Sequence, residues 1–248
     1  MAADPSRPAG VTGLLTGVTT VFVHPRAVGN AAADLLALAR ERGATRAVAL
    51  AAINVDDDPA TQPSRFQGDR NKEAEDAAVA SGLEWVSLRP ASFAANTRQA
   101  WAPQLRAGDI VRGPYANFAE PLIHEGDVVE VAARALLDPG LRDRKLRLTG
   151  PQSLSQQQLV SIIGEVTSRE LRYQEVSAEA FEHGMVARGM PQPFVDALTA
   201  RYARGAGPAE AVTDDVEKVL GRPARTYAEW VADNATAFRR DEREESTR

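Results

Sequence analysis

The sequence predicts an α/β fold: a doubly wound parallel sheet followed by a smaller, mainly helical C-terminal region. Three observations carry that expectation. Short apolar runs alternate with segments of helical period from Thr19 to Thr149. The first run, Thr19-Thr20-Val21-Phe22-Val23-His24, lacks a polar face, as a strand buried on both sides of a parallel sheet should. Beyond Ala178 the chain reads as helices only.

The elements follow in order. Residues 1–17 are rich in Pro and Gly and read as a flexible lead into the first strand. Asn30 to Arg42 places Ala33, Leu36, Ala37 and Arg40 at helical spacing, and Gly43 stops it. Arg46–Leu50 is a second parallel strand, which completes a right-handed βαβ unit. Ile53–Gly68 is a loop marked by Asp56-Asp57-Asp58-Pro59 and Gln62-Pro63-Ser64. A helix from Asp69 to Ser81 is expected, with Asp69 as its cap. Glu84–Leu88 alternates as a strand, and Pro90, lacking an N–H, is expected to end it. A helix then runs through Asn96 toward Trp101, and Asp109–Tyr115 is a short strand and turn. The Asp127–Asp138 helix carries Val128, Val131, Ala132 and Ala135 as its inner stripe. Lys145–Thr149 is a strand, Ser153–Val166 a helix and Leu171–Val176 a strand. Helices near Ala178, at Pro191–Ala203, Asp214–Leu220 and Thr226–Phe238 follow, about seven βα alternations in all with a helical cap. These divide the chain into a lead (1–17), a sheet domain (18–150), a helical substrate-side region (151–238) and a charged tail (239–248) expected to be disordered.

Composition narrows the function. Charged residues make up 25% of the chain with both signs interspersed and a net charge of −5, so no nucleic-acid footprint exists. Without cysteine there is no disulfide, thiol catalysis or thiolate metal site. Arginine outnumbers lysine 26 to 3, which reads as coding bias. The three histidines, His24, His124 and His183, have no metal-ligand spacing. The Asp56–Asp58 run lacks the alternation and glycine of a calcium loop and reads as a solvated turn. No apolar run reaches the ~20 residues of a membrane span and no leader pattern opens the chain, so a cytoplasmic protein is expected.

Open α/β sheets hold ligands outside the carboxyl ends of their strands. Arg89, Phe93 and Asn96 gather at such an end, and His24 with Pro25 closes the first strand beside it. Arg89 is suited either to a carboxylate or phosphate or to an ion pair that supports the loop. Trp101 and Tyr115 are candidates to wall an aromatic substrate, with core packing the alternative, and Asn54 follows the second strand on the same side.

Several pieces, in this order and spacing, resemble the NmrA-like branch of the atypical short-chain dehydrogenase/reductases, NAD(P)H-binding relatives of quinone reductases. They are Gly17–Val23, Arg46–Leu50, Lys72-Glu73-Ala74-Glu75 with Ser81-Gly82-Leu83, Leu88-Arg89-Pro90 with Phe93 and Asn96, and Asp127-Val128. Leu148–Pro151 with Ser153-Leu154, and Thr226–Trp230, complete a match over residues 14–238. The resemblance implies a Rossmann-like domain, a nicotinamide beside Pro90, and Lys72 as a cofactor-side lysine. The cofactor-side candidates are then His24, Pro25, Lys72, Arg89, Pro90 and Phe93; the substrate-side ones are Asn54, Asn96, Trp101 and Tyr115.

The family chain begins strand, glycine-rich turn, helix, and that turn holds the pyrophosphate. Here the first strand corresponds to the family's fourth, so roughly 50–60 residues are expected to be missing in front, one βαβ unit being about 30. Gly10–Gly17 does not replace the turn, because no strand precedes it and a strand, not a helix, follows. The family's serine position falls on Ala51 or Ala52, and Arg65–Lys72 contains no tyrosine to act as an acid. Two functions stay open. One is an NAD(P)H-dependent reductase of a quinone or conjugated carbonyl, with this chain complete or a fragment of it. The other is a cofactor-independent binder, sensor, cyclase or isomerase on the same fold. The Thr19–Val23 edge, stripped of its neighbour strand, is expected to pair with a second chain, to be covered by residues 1–17, or to reflect a late chain start.

Overall fold

A computed structural model describes residues 3–204 and 210–240. The elements in chain order are α1 (Pro8–Val11), β1 (Thr20–Val23), α2 (Pro25–Val28), α3 (Ala32–Glu41), β2 (Arg46–Leu50), α4 (Asn71–Ala80) and β3 (Glu84–Pro90). They continue as α5 (Ala95–Ala107), β4 (Ile110–Gly113), β5 (Ala119–Glu120), α6 (Glu125–Leu137), β6 (Arg144–Leu148), β7 (Leu154–Ser155) and α7 (Gln156–Thr167). Last come β8 (Arg172–Glu175), α8 (Ala178–Ala187), α9 (Gln192–Arg204), α10 (Asp215–Leu220) and α11 (Tyr227–Asp233).

Four strands form the central sheet in the order β1-β2-β3-β6, all parallel, as buried apolar strands with helical crossovers require. On one face, Ala32, Leu35 and Leu36 of α3 and Ala74, Ala77 and Ala78 of α4 pack on Val23, Ala47 and Ala49. On the other, Val128, Val131 and Ala135 of α6 and Val216 of α10 pack on Val48, Val86, Leu88 and Leu146. Helices on both faces make the sheet doubly wound.

The remaining strands do not extend this sheet. β4 pairs in parallel with β8, and β5 antiparallel with β7. The expected seven alternations reduce to four in one sheet, and residues 110–120 belong with the C-terminal elements. A separate core, with Trp101, Leu105, Val111, Leu159, Ile163, Trp230 and Phe238, joins α5, α7 and α11.

Several local expectations are corrected. Residues 8–15 are not a flexible lead: α1 and a 3-10 turn at Thr12–Leu15 place Val11 and Leu15 in the core on the α3 side. Asp69 does not cap α4. Its carboxylate takes two hydrogen bonds from Arg26 (2.9 and 3.0 Å), and the helix begins after Arg70. β3 continues through Pro90, whose carbonyl accepts from Ile53 N–H (2.9 Å) while Ala91 N–H donates to Leu148 (2.8 Å). Only the ladder donor that proline lacks is lost. α7 starts at Gln156 behind a reciprocal Ser155–Gln158 cap, and the preceding two residues are β7. The Ile53–Gly68 loop holds two 3-10 turns, Pro59–Thr61 and Pro63–Gln67. Most of the expected tail, residues 241–248, lies outside the described residues.

Candidate functional site at the strand mouth

At the carboxyl end of the sheet two backbone segments run side by side. Ala51 N–H donates to Leu88 (2.8 Å) and Ile53 N–H to Pro90 (2.9 Å), so the chain leaving β2 stays zipped to β3. Beyond Pro90, Ser92 C=O accepts from Ile123 N–H (3.0 Å) and Ala94 N–H donates to Ile123 C=O (2.9 Å). The mouth is thus walled by Ala51–Asn54 and Pro90–Phe93, with His24 at the end of the neighbouring β1.

His24 is exposed, and its carbonyl accepts from Ala27 and Val28 (3.0 and 3.1 Å) to start α2, whose first residue is the buried Pro25. Phe93 is half-buried and packs against the α6-side core. Asn54 is half-buried in the turn to Asp57, and Asn96 is exposed in the first turn of α5. Trp101 is buried edge-on to Tyr173 at 6.4 Å between ring centroids, which is core packing. Tyr115 is half-buried after β4 with a left-handed φ of 50°.

Arg89 takes the second of the two roles open to it in the sequence. Its Nη2 and Nε bond both oxygens of Glu75 at 2.6 and 2.8 Å, and Nη1 reaches Asp56 at 2.8 Å. Glu75 is fully buried; it also accepts from Ser87 Oγ and lies 3.2 Å from Lys145 Nζ. Burial raises the Glu75 pKa, but the hydrogen bonds from Arg89 and Ser87 more than offset it and leave the carboxyl at about 2. Three of its five N–H donors are thus spent on carboxylates, and Arg89 serves to hold the cluster together. Asp56 also faces Lys72 (3.7 Å), whose ammonium bonds Asp76 at 2.7 Å and is held above the usual lysine range by that bond.

The sequence reading missed Glu75, Ser87 and Lys145 as one cluster with Arg89. A signal was present: Glu75 sits between Ala74 and Ala78 on the buried phase of α4, and Ser87 and Arg89 share one face of β3.

For a dinucleotide, the described residues fit one end and not the other. The mouth offers an apolar wall (Pro90, Phe93) and short backbone turns where a nicotinamide ring would lie. The pyrophosphate end does not fit. Gly10–Gly17 is folded into α1 and a 3-10 turn ahead of β1, and the Arg89 guanidinium is paired with Glu75 and Asp56. Of the four tyrosines, Tyr173 donates to Pro114, Tyr227 hydrogen-bonds Thr97, and Tyr202 packs with its ring tilted against Phe118. Burial pushes the hydroxyls of all three upward, away from proton transfer. Two open grooves lie elsewhere, one along Pro151, Thr213, Asp215 and Pro223, the other along Asn117, Ser153 and Gln157. No helix among the described residues is long and apolar enough to cross a membrane.

No family model matches the chain. An NAD(P)H azoreductase from Xenophilus azovorans is 30% identical over 241 residues, 96% of this chain and 82% of its own. A (4-alkanoyl-5-oxo-2,5-dihydrofuran-3-yl)methyl phosphate reductase from Streptomyces griseus is 31% identical over 68% of the chain, and the match spans 60% of that reductase's length. In structure, an NADPH-dependent quinone oxidoreductase from Escherichia coli complexed with NADPH superposes with a TM-score of 0.77 at 21% identity. That superposition covers 94% of this chain and 82% of the other. The Citrobacter triphenylmethane reductase complexed with NADP(H) gives 0.74 at 19% identity, with the same coverage of 94% and 82%. Together with the doubly wound sheet, the identity sustained along the azoreductase places this chain in the NmrA-like branch of the atypical short-chain dehydrogenase/reductases.

Proposed function

We propose that the chain is an NAD(P)H-dependent oxidoreductase that reduces a quinone or a conjugated carbonyl at the mouth of β1, β2 and β3. The observation that carries this reading is the 30% identity to an NAD(P)H azoreductase over 96% of the chain. A nicotinamide, when bound, would supply the hydride chemistry. The chain's own residues hold and orient the cofactor and the acceptor. On the cofactor side Pro90 and Phe93 would form the apolar wall, with His24 and Pro25 beside them and Lys72 at the rim. On the acceptor side Asn54, Asn96 and Tyr115 offer hydrogen bonds to the acceptor's oxygen. Arg89 contributes by fixing the floor of the mouth through Glu75 and Asp56, and Trp101 by packing beneath α5. No proton donor of the Ser–Tyr–Lys kind is needed when the reduced acceptor takes its proton from water.

A second reading keeps the mouth as a binding site for a small aromatic molecule without a cofactor. It is favoured by the filled guanidinium of Arg89 and by the helical fold of residues 8–15. Titration with NADPH, followed by thermal shift and by loss of its absorbance on adding a quinone, separates the two. Micromolar binding with quinone-dependent oxidation is the expected result. Absence of any response at millimolar cofactor overturns the reductase reading for this chain.

A further inference from the structure

Arg201, in the last turn of α9, is nearly as well covered as Arg89 but far less occupied. Its side chain is 14% exposed, against 10% for Arg89. Arg89 spends all three nitrogens on carboxylates. Arg201 spends one: Nη2 meets Glu120 at 2.8 Å and Glu210 at 3.4 Å. No described residue bonds its Nε or Nη1. A guanidinium carries five donors, and covered donors are ordinarily bonded, so Arg201 has N–H groups to offer a ligand.

Two more arginines stand at the same rim of the mouth. Leu146 and Leu148 turn into the core, so Lys145 and Arg147 project from the other face of β6, where Lys145 reaches Glu75. Arg147 is in register with Arg89 and exposed, and no described side chain pairs with its guanidinium. Its backbone is held instead: the N–H donates to Asp215 (2.7 Å) and the carbonyl accepts from Thr213 Oγ1. Those bonds lay residues 210–215 along β6 and bring Glu210 beside it. Arg204, 53% exposed, has only a 3.8 Å contact with Asp57 among the described residues. Asp57 belongs to the loop that walls the mouth, and α9 packs on the two 3-10 turns of that loop. Glu120 belongs to the segment that runs on to Ile123 and the opposite wall.

Glu210 is the internal anion of this cluster, and it is loosely held. Its contact with Arg201 is longer than a good N–H···O bond of about 2.9 Å. Burial lifts its carboxyl above the usual range against the pull of Arg201, and Glu120 and Asp57 add to the lift that Arg147 opposes. The carboxyl therefore lies close enough to all four residues to feel their charges. Without Glu210, three arginines face two carboxylates, a surplus of one positive charge.

We propose that Arg147, Arg201 and Arg204 bind a carboxylate or phosphate group carried by the acceptor, which displaces the Glu210 side chain. The assignment to an acceptor rests on the reductase reading; the anion site rests on the arginines alone. A ligand oxyanion brings two or three oxygens to these donors, where Glu210 brings one. Displacing Glu210 costs little, because burial and two neighbouring carboxylates already disfavour its charge. The arginines at one end and the Pro90–Phe93 wall at the other then fix the orientation of a flat acceptor. A phosphate of the cofactor shares this chemistry, and the two sources are separable by experiment.

Calorimetric titration with anthraquinone-2-carboxylate and with its uncharged methyl ester tests the site without cofactor. The acid should bind about tenfold more tightly than the ester. Arg147→Gln and Arg204→Gln, both at exposed positions, should keep the circular dichroism and shrink that preference, and the double variant should abolish it. Glu210→Gln should tighten binding of the acid severalfold. Equal or absent binding of the two compounds, or a preference that survives the double variant, overturns the site. A loss of NADPH affinity in the double variant with the acid preference intact assigns the arginines to a cofactor phosphate and overturns the claim for the acceptor. Oxidation of NADPH by the uncharged 2-methyl-1,4-naphthoquinone is measured separately. If that oxidation is absent while the acid preference and its loss in the variants hold, the reductase reading fails and the anion site stands.

Discussion

Glu75 and Arg89 meet end to end inside the protein, with guanidinium Nη2 2.6 Å from Oε1 and Nε 2.8 Å from Oε2. The pair binds α4 to β3 directly under the mouth, and Asp56 extends it to the loop that forms one wall. Removing one partner of a buried pair leaves the other charged and desolvated, at a cost of about 3–5 kcal/mol. Glu75→Gln should therefore lower the urea midpoint by that equivalent with the m-value unchanged. The exposed Asp76→Asn, which breaks a surface bond to Lys72, should cost about 0.5 kcal/mol. Equal losses in the two variants would contradict a structural role for the buried pair.

The same carboxyl sets an acid limit. Its folded pKa of about 2 lies below the ordinary 4.5 because the bonds from Arg89 and Ser87 outweigh the burial that pushes it up. A depressed carboxylate adds stability that is fully present above the unfolded value and is lost as pH falls through 4.5 toward 2. The share from this one group is about 3 kcal/mol. Chemical denaturation at pH 5 and pH 3 should show the loss in the wild type, and the slope between them should be shallower in Glu75→Gln.

The sheet was legible in the sequence where strands are continuous apolar runs. Arg46–Leu50 has the bounds expected of it, because Gly43 and the Ile53 loop flank it without ambiguity. Ile110–Gly113 and Leu171–Val176 were also recognisable as strands, but not that they would leave the main sheet and pair with each other. Periodicity reports that a segment is extended, while its partner is chosen by contacts some sixty residues away. Arg89 shows the same limit at the site. Its position at a strand end was readable; its occupation by Glu75 and Asp56 was not, since those residues arrive from α4 and a loop. Residues 8–15 read as a loop because Pro8, Gly10 and Gly13 punctuate them, whereas two side chains, Val11 and Leu15, decide the packing.

Gly150, just past β6, marks a close backbone approach. A Cβ built there would lie 2.1 Å from the Leu122 carbonyl oxygen, which belongs to the segment entering α6. Backbone cannot step aside as a flexible side chain can, so Gly150→Ala should cost about 1–3 kcal/mol by overpacking. Gly10→Ala, with open space at its Cβ, serves as the control and should change the unfolding midpoint little.

Asp127 fastens the C-terminal part to α6. Fully buried, it accepts from Arg225 N–H at 2.7 Å and from Arg222 Nη2 at 2.8 Å, and Arg225 Nη1 closes on it as well. Glu130, one turn later and 43% exposed, bonds the same two arginines at 2.6 Å. The partners are shared, but the surroundings differ. Asp127→Ala strands a half-buried backbone N–H and loosens both guanidinium groups, for an expected loss of about 2–3 kcal/mol. Glu130→Ala removes only solvent-screened contacts and should cost less than about 1 kcal/mol. Limited proteolysis adds a local readout. Cleavage between Leu220 and Thr226 should accelerate in Asp127→Ala and much less in Glu130→Ala, because Asp127 also holds the Arg225 backbone N–H.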